Sequence, residues 1–195
     1  FYLAITEVTQ DQFEQVMSVN PSRYASDGSH ASDIEPFANT WNLPVEGVSW
    51  EEGVRFCRLL STREGLEMAY EPIAGNWERL PTAMGYCFPS EAQWEYACRA
   101  GSDGLYSSGN DEAGLAQVAY FGNAHSSPQP VGQLAANAFG LYDMHGNVHE
   151  WVNDYFDVGH YFKLASQPYS LNPIGPVEKN NIRVAKGGDF YWPAR

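Results

Sequence analysis

Basic residues are scarce in this chain: 11 Lys and Arg stand against 24 Asp and Glu, a formal net charge of −13 over 195 residues. Such a surface lacks the basic footprint that nucleic acid or an anionic membrane requires. Cations or basic peptides are better matched partners, although an acidic surface can also serve solubility alone. Long hydrophobic runs are missing as well. No apolar stretch approaches the ~20 residues of a transmembrane helix, so the sequence holds no membrane span. Cysteine is sparse: Cys57, Cys87 and Cys98 permit at most one internal disulfide and form no Cys-x-x-Cys pair. Two of them fall in apolar helical patterns and read as buried thiols, and none of the three identifies the compartment. An initiator Met is also lacking, and the chain stops at Arg195 within a motif, so a single domain over 1–195 cut at both ends is expected.

What is present suits one well-packed domain. Apolar residues make up 44% and aromatics 14%, which excludes disorder, and a chain of this length buries roughly 70% of its unfolded surface. Phe1 to Ile5 reads as a short strand, and Thr9 caps a helix whose Phe13, Val16 and Met17 share a face. Residues 20–43 are rich in turn formers and read as a long surface loop. Ser49-Trp50-Glu51-Glu52 is a capping box opening a helix that ends near Gly65, and Ser90-Glu91-Ala92-Gln93 opens a second that Gly101 stops. Between them, 67–84 contains Pro72, Gly75 and Pro81 and reads as irregular connection; brief strands are expected near 118–121 and 130–131. The fold class is therefore α+β, loop-rich, with two main helices and short strands.

The densest stretch is Asn137 to Trp151, Asn-Ala-Phe-Gly-Leu-Tyr-Asp-Met-His-Gly-Asn-Val-His-Glu-Trp. Gly140 and Gly146 admit backbone that a Cβ would block, while Asp143, Asn147 and Glu150 concentrate oxygens of the kind that bind hard cations. This stretch resembles the signature of the formylglycine-generating-enzyme family, also called sulfatase-modifying-factor domains. Glu7-Val8-Thr9, Pro44-Val45 with Val48-Ser49-Trp50, Gly85-Tyr86 through Ala97, Pro130-Val131-Gly132, and Arg183-Val184 with Lys186-Gly187-Gly188 follow in the family's order, so the resemblance covers nearly the whole chain.

The resemblance implies a C-type-lectin-like fold, in which a small sheet and two helices support functional loops. It implies calcium held by side chains of Asp143 and Glu150 and carbonyls of Gly146 and Val148; the alternative is that the two carboxylates only satisfy orphan backbone N–H groups. The family's second calcium site is expected to be absent, because 119–129 carries no acidic residue. His145 and His149 would suit zinc only on a helix, which Gly146-Asn147 disfavours; the family's aromatic at the His149 position implies a side chain that packs.

The family's oxidases convert a sulfatase cysteine to formylglycine using two cysteines that hold copper(I), a soft-ligand requirement, beside a serine. Aligned on Lys186-Gly187-Gly188, the first Cys falls at Trp192 and the Ser at Asp189, and the second Cys would lie beyond Arg195. Indole offers no thiolate, so no copper is expected and no catalytic residue is assigned. Iron-dependent relatives take histidines from a separate helical domain. What remains is Asp189-Phe190-Tyr191-Trp192, aromatics of the kind that build binding faces, on a stretch where ligand-binding proteins of this fold diversified by retroelements carry their variable residues. A half-buried strand is the alternative, with Phe190 and Trp192 on one face and Asp189 and Tyr191 on the other. The expected function is binding of a peptide, protein or small-molecule ligand through Asp189, Tyr191, Trp192 and Arg195. A sulfatase-modifying oxidoreductase and an accessory domain of a multidomain protein are the competing readings.

Overall fold

Three helices begin on the same reciprocal device. Thr9 caps α1 (Gln10–Met17), Ser49 caps α2 (Trp50–Arg63) and Ser90 caps α3 (Glu91–Arg99); each hydroxyl accepts from the backbone three residues on, while Gln12, Glu52 and Gln93 return the bond. Each box satisfies two of the donors a helix start leaves unpaired. The structure, a computed structural model, describes residues 1–34, 39–166, 173, 175, 176 and 182–194. Helices α2 and α3 are the longest among them and lie where the capping boxes place them. The second ends on Ala100 in the left-handed region, φ 47°, one residue before Gly101. Shorter helices α4 (Glu112–Leu115) and α5 (Val158–Ala165) are capped by Asp111 and Asp157.

Among the described residues, six short strands pair two by two. β1 (Tyr70–Ile73) and β2 (Asn76–Arg79) form an antiparallel hairpin, β3 (Ala119–Tyr120) runs parallel to β4 (His145–Gly146), and β5 (Glu150–Tyr155) is antiparallel to β6 (Arg183–Lys186). The hairpin corrects the irregular connection expected over 67–84. Its turn is Ala74-Gly75, φ 50° and 81°, the left-handed pair a tight hairpin needs, and Pro72 is tolerated because the ladder has only two strands. The strand expected at Phe1 to Ile5 does not form, and Pro130-Val131 is likewise turn and coil. Instead Ile5 accepts from the Tyr142 N–H at 2.9 Å, and the Val131 N–H donates to Asn42 at 2.9 Å.

Two apolar clusters hold these pieces. The first joins α1, α2 and the hairpin through Phe13, Trp50, Val54, Phe56, Cys57 and Tyr70, with Phe13 stacked on Phe56 at 5.3 Å. In the second, Trp94, Ala97 and Cys98 of α3 meet Leu141, Met144, Val152 and Val184. The Trp50 indole donates to the Val152 carbonyl at 3.0 Å and ties one cluster to the other. Across that seam the Arg183 guanidinium lies 3.6 Å from the Trp50 ring centre and 3.5 Å from that of Tyr155. All three cysteines are free thiols; Cys57 and Cys98 are buried and Cys87 is half-buried.

Candidate functional site

The signature loop is set by its backbone. At Gly146, φ 78°, a Cβ would stand 2.0 Å from the Tyr120 carbonyl oxygen, so the β3–β4 approach requires glycine. Asp143 and Asn147 also take left-handed backbone, φ 57° and 55°, a region that Asn and Asp enter more readily than other side chains. Asn147 is fully buried and organises everything around it. Its N–H donates to Tyr120 and its carbonyl accepts from Phe190, both at 2.9 Å. Its side chain accepts from the Gln129 N–H at 2.9 Å and donates to the Gln129 carbonyl at 3.1 Å and to Glu7 Oε2 at 2.7 Å.

Three carboxylates flank this loop. Asp143 Oδ2 accepts from the Gly132 N–H at 2.7 Å, and Glu150 Oε2 accepts from the Trp94 indole at 2.9 Å. Glu7, buried, accepts from Asn147 and from the Val148 N–H at 3.1 Å. Burial pushes all three pKa values up, Glu150 to about 7, and the charges acting on Glu7 and Glu150 are those of their fellow carboxylates. Among the described residues, no three His, Cys, Asp or Glu side chains converge on a point a metal ion could fill. The predicted set Asp143, Gly146, Val148 and Glu150 thus lies along one short loop, with Glu7 as a neighbour whose role sequence reasoning missed. Its signal was present in the Glu7-Val8-Thr9 motif, but nothing local connects residue 7 to residue 148.

On the other side of the loop lies a cleft of about 580 Å³. Trp94, Cys98, His145 and Gly187 line it, together with Leu105, Tyr106, Lys186, Asp189 and Trp192. Lys186 is held by Glu95 at 3.2 Å and Glu91 at 3.5 Å, and Glu95 also pairs with Arg99 at 2.7 Å. Residues 189–192 do not form the alternating strand expected of them. Asp189 Oδ1 accepts from the N–H groups of both Tyr191 and Trp192 at 3.0 Å, closing a turn, the local bond that lets Asp compete with a ladder. Phe190 faces Tyr24 edge-on at 5.8 Å, whereas Tyr191 and Trp192 are 50% and 56% exposed. The backbone beneath them is fixed: Phe190 donates to Asn147, Gly122 donates to the Trp192 carbonyl at 2.9 Å and Asn123 to that of Phe190 at 3.2 Å. Asp189, Tyr191 and Trp192 therefore share one turn, with the Tyr191 and Trp192 rings 5.2 Å apart, and Arg195 lies outside the described residues.

The two histidines part company. His149, expected to pack, is exposed, with Nδ1 3.3 Å from Asp189 Oδ2 at the cleft. His145 turns inward, where Nε2 accepts from the Ser107 N–H at 3.1 Å and stands 3.6 Å from Cys98 Sγ. Burial pushes the Cys98 thiol up to about 12 and the His145 imidazole down. At neutral pH both groups are uncharged, so the pair supplies no thiolate nucleophile.

The chain is 31% identical over 225 residues to the chaperone protein LppX of Paenibacillus barcinonensis, an alignment covering 97% of this chain and 69% of that protein. It is 28% identical to the formylglycine-generating enzyme of Mus musculus, covering 97% of this chain and 57% of the enzyme. Among solved structures, Treponema denticola variable protein 1 superposes with a TM-score of 0.78 at 28% identity, over 95% of this chain and 71% of that one. The fold is C-type-lectin-like, of the formylglycine-generating-enzyme type. Residues 1–194 match the family described as Sulfatase-modifying factor enzyme 1-like domain, and the chain belongs to that family.

Proposed function

We propose that this chain is a ligand-binding member of its family that binds a peptide, protein or small molecule at the face of Asp189, Tyr191 and Trp192, where Asp189 and Trp192 line the cleft. The observation that carries the proposal is an exposed Trp192 lining a 580 Å³ cleft, with the exposed Tyr191 ring 5.2 Å from it, on a backbone held by three hydrogen bonds. Preformed aromatic contact area lowers the ordering cost of binding. The likeness to a protein named as variable supports the same reading.

Copper oxidation fits less well. Trp192 stands where the resemblance places a copper-holding Cys, and Cys98, the thiol lining the cleft, is buried and protonated. The test is a Cys-x-Pro-x-Arg peptide incubated with the protein and copper(I). The expected result is a peptide of unchanged mass; conversion of its cysteine to formylglycine overturns the proposal.

We further propose calcium on the signature loop, which its donor set supports. Among the described residues, Asp143 and Glu150 each use one carboxylate oxygen in a hydrogen bond with protein, and the charge of Asp143 acts on Glu150. Two carboxylates with main-chain carbonyls of Gly146 and Val148 form a hard-oxygen set. An ion held there would offset the charges of Asp143 and Glu150.

A further inference from the structure

Glu7 is the member of the carboxylate cluster that the calcium assignment does not use. It reaches the signature loop from the other end of the chain and is 8% exposed. One oxygen accepts from the Asn147 amide at 2.7 Å and the other from the Val148 N–H at 3.1 Å. Asn147 is held on three further sides, by Gln129 through its side chain, by Tyr120 through its N–H and by Phe190 through its carbonyl. Glu7 thus completes the clamp on the left-handed turn between Gly146 and Val148, whose carbonyl directions follow from it.

A neutral side chain such as Gln could accept one of these hydrogen bonds but not both, whereas a carboxylate accepts both. It also brings a third negative charge toward Asp143 and Glu150, and buried like charges without a counter-ion are costly.

We infer that Glu7 is the positioning residue of the calcium loop: it fixes the Asn147–Val148 turn through both oxygens. This rests on the calcium reading above. Groups that orient metal ligands without touching the ion contribute about 10- to 100-fold in affinity. Glu7→Gln keeps the shape but turns an NH₂ group toward one of the two donors, and Glu7→Asp keeps the charge but withdraws it by one methylene.

The experiment is calorimetric titration of chelator-stripped protein with calcium chloride, with melting curves in calcium and in chelator, for wild type and both variants. Both substitutions are expected to weaken calcium binding by about 10- to 100-fold, while the melting temperature of Glu7→Gln in chelator stays level or rises. A fold residue behaves otherwise: equal loss of melting temperature in calcium and chelator with unchanged calcium affinity, or failure of Glu7→Gln to fold in chelator, overturns the proposal. Wild type that binds no calcium removes the calcium reading and this inference with it. Wild type and Glu7→Gln binding calcium equally removes this inference alone.

Discussion

Replacing Glu150 by Gln is expected to stabilise the calcium-free protein, and only on one side of neutrality. Burial is the largest influence on the carboxyl, raising its pKa from an ordinary 4.5 to about 7 despite the bond from the Trp94 indole. A carboxyl whose pKa is higher folded than unfolded favours the fold below 4.5, and that advantage is lost as pH rises through 7. At about 1.4 kcal/mol per pH unit, the interval amounts to about 3 kcal/mol. For a chain of this size it corresponds to roughly 6–12 °C in melting temperature. Gln cannot ionise and retains an oxygen for the indole, so it escapes the loss. The assay is thermal melting in chelator at pH 5 and pH 8: the variant should match wild type at the lower pH and exceed it at the higher. A variant no more stable than wild type at pH 8 would refute the buried-charge account of the loop.

Calcium at a hundredfold its dissociation constant is expected to stabilise wild type by about 2.7 kcal/mol, a gain that chelator removes; Asp143→Asn should reproduce much of the loss and His149→Phe none, as melting curves will show. Phe190→Ala, which removes the ring lying against Tyr24, should lower the melting temperature, whereas Tyr191→Ala, at a residue 50% exposed, should leave it within about 2 °C, the surface-substitution range. Gly146→Ala places a Cβ 2.0 Å from the Tyr120 oxygen and should cost more than ~3 kcal/mol by denaturant titration. A cost under ~1 kcal/mol would show that β3 can move aside.

The sequence exposed most clearly those features whose causes are local. Ser49 with Glu52 and Ser90 with Gln93 are reciprocal bonds three residues apart, and they place the two main helices correctly. The density of Asn137 to Trp151 likewise marked the loop on which Asp143 and Glu150 sit. Features set by distant partners were harder. The β1–β2 hairpin was obscured by Pro72 and by a turn, Ala74-Gly75, that lacks the usual Asn-Gly pair. Alternation at 189–192 failed because one Asp189 oxygen captured two N–H groups and bent the chain. The role of Glu7 was invisible for the same reason that it matters: its partners lie 140 and 141 residues away.

The binding face is tested most directly by probing a peptide and glycan array with wild type, Tyr191→Ala and Trp192→Ala, each first shown to melt normally. The account predicts array signals for wild type that fall at least about tenfold in the Trp192 variant, the loss of ~1.4 kcal/mol or more expected at a contact aromatic. Wild-type signals that persist unchanged in both variants, or no wild-type signal at all, would contradict it.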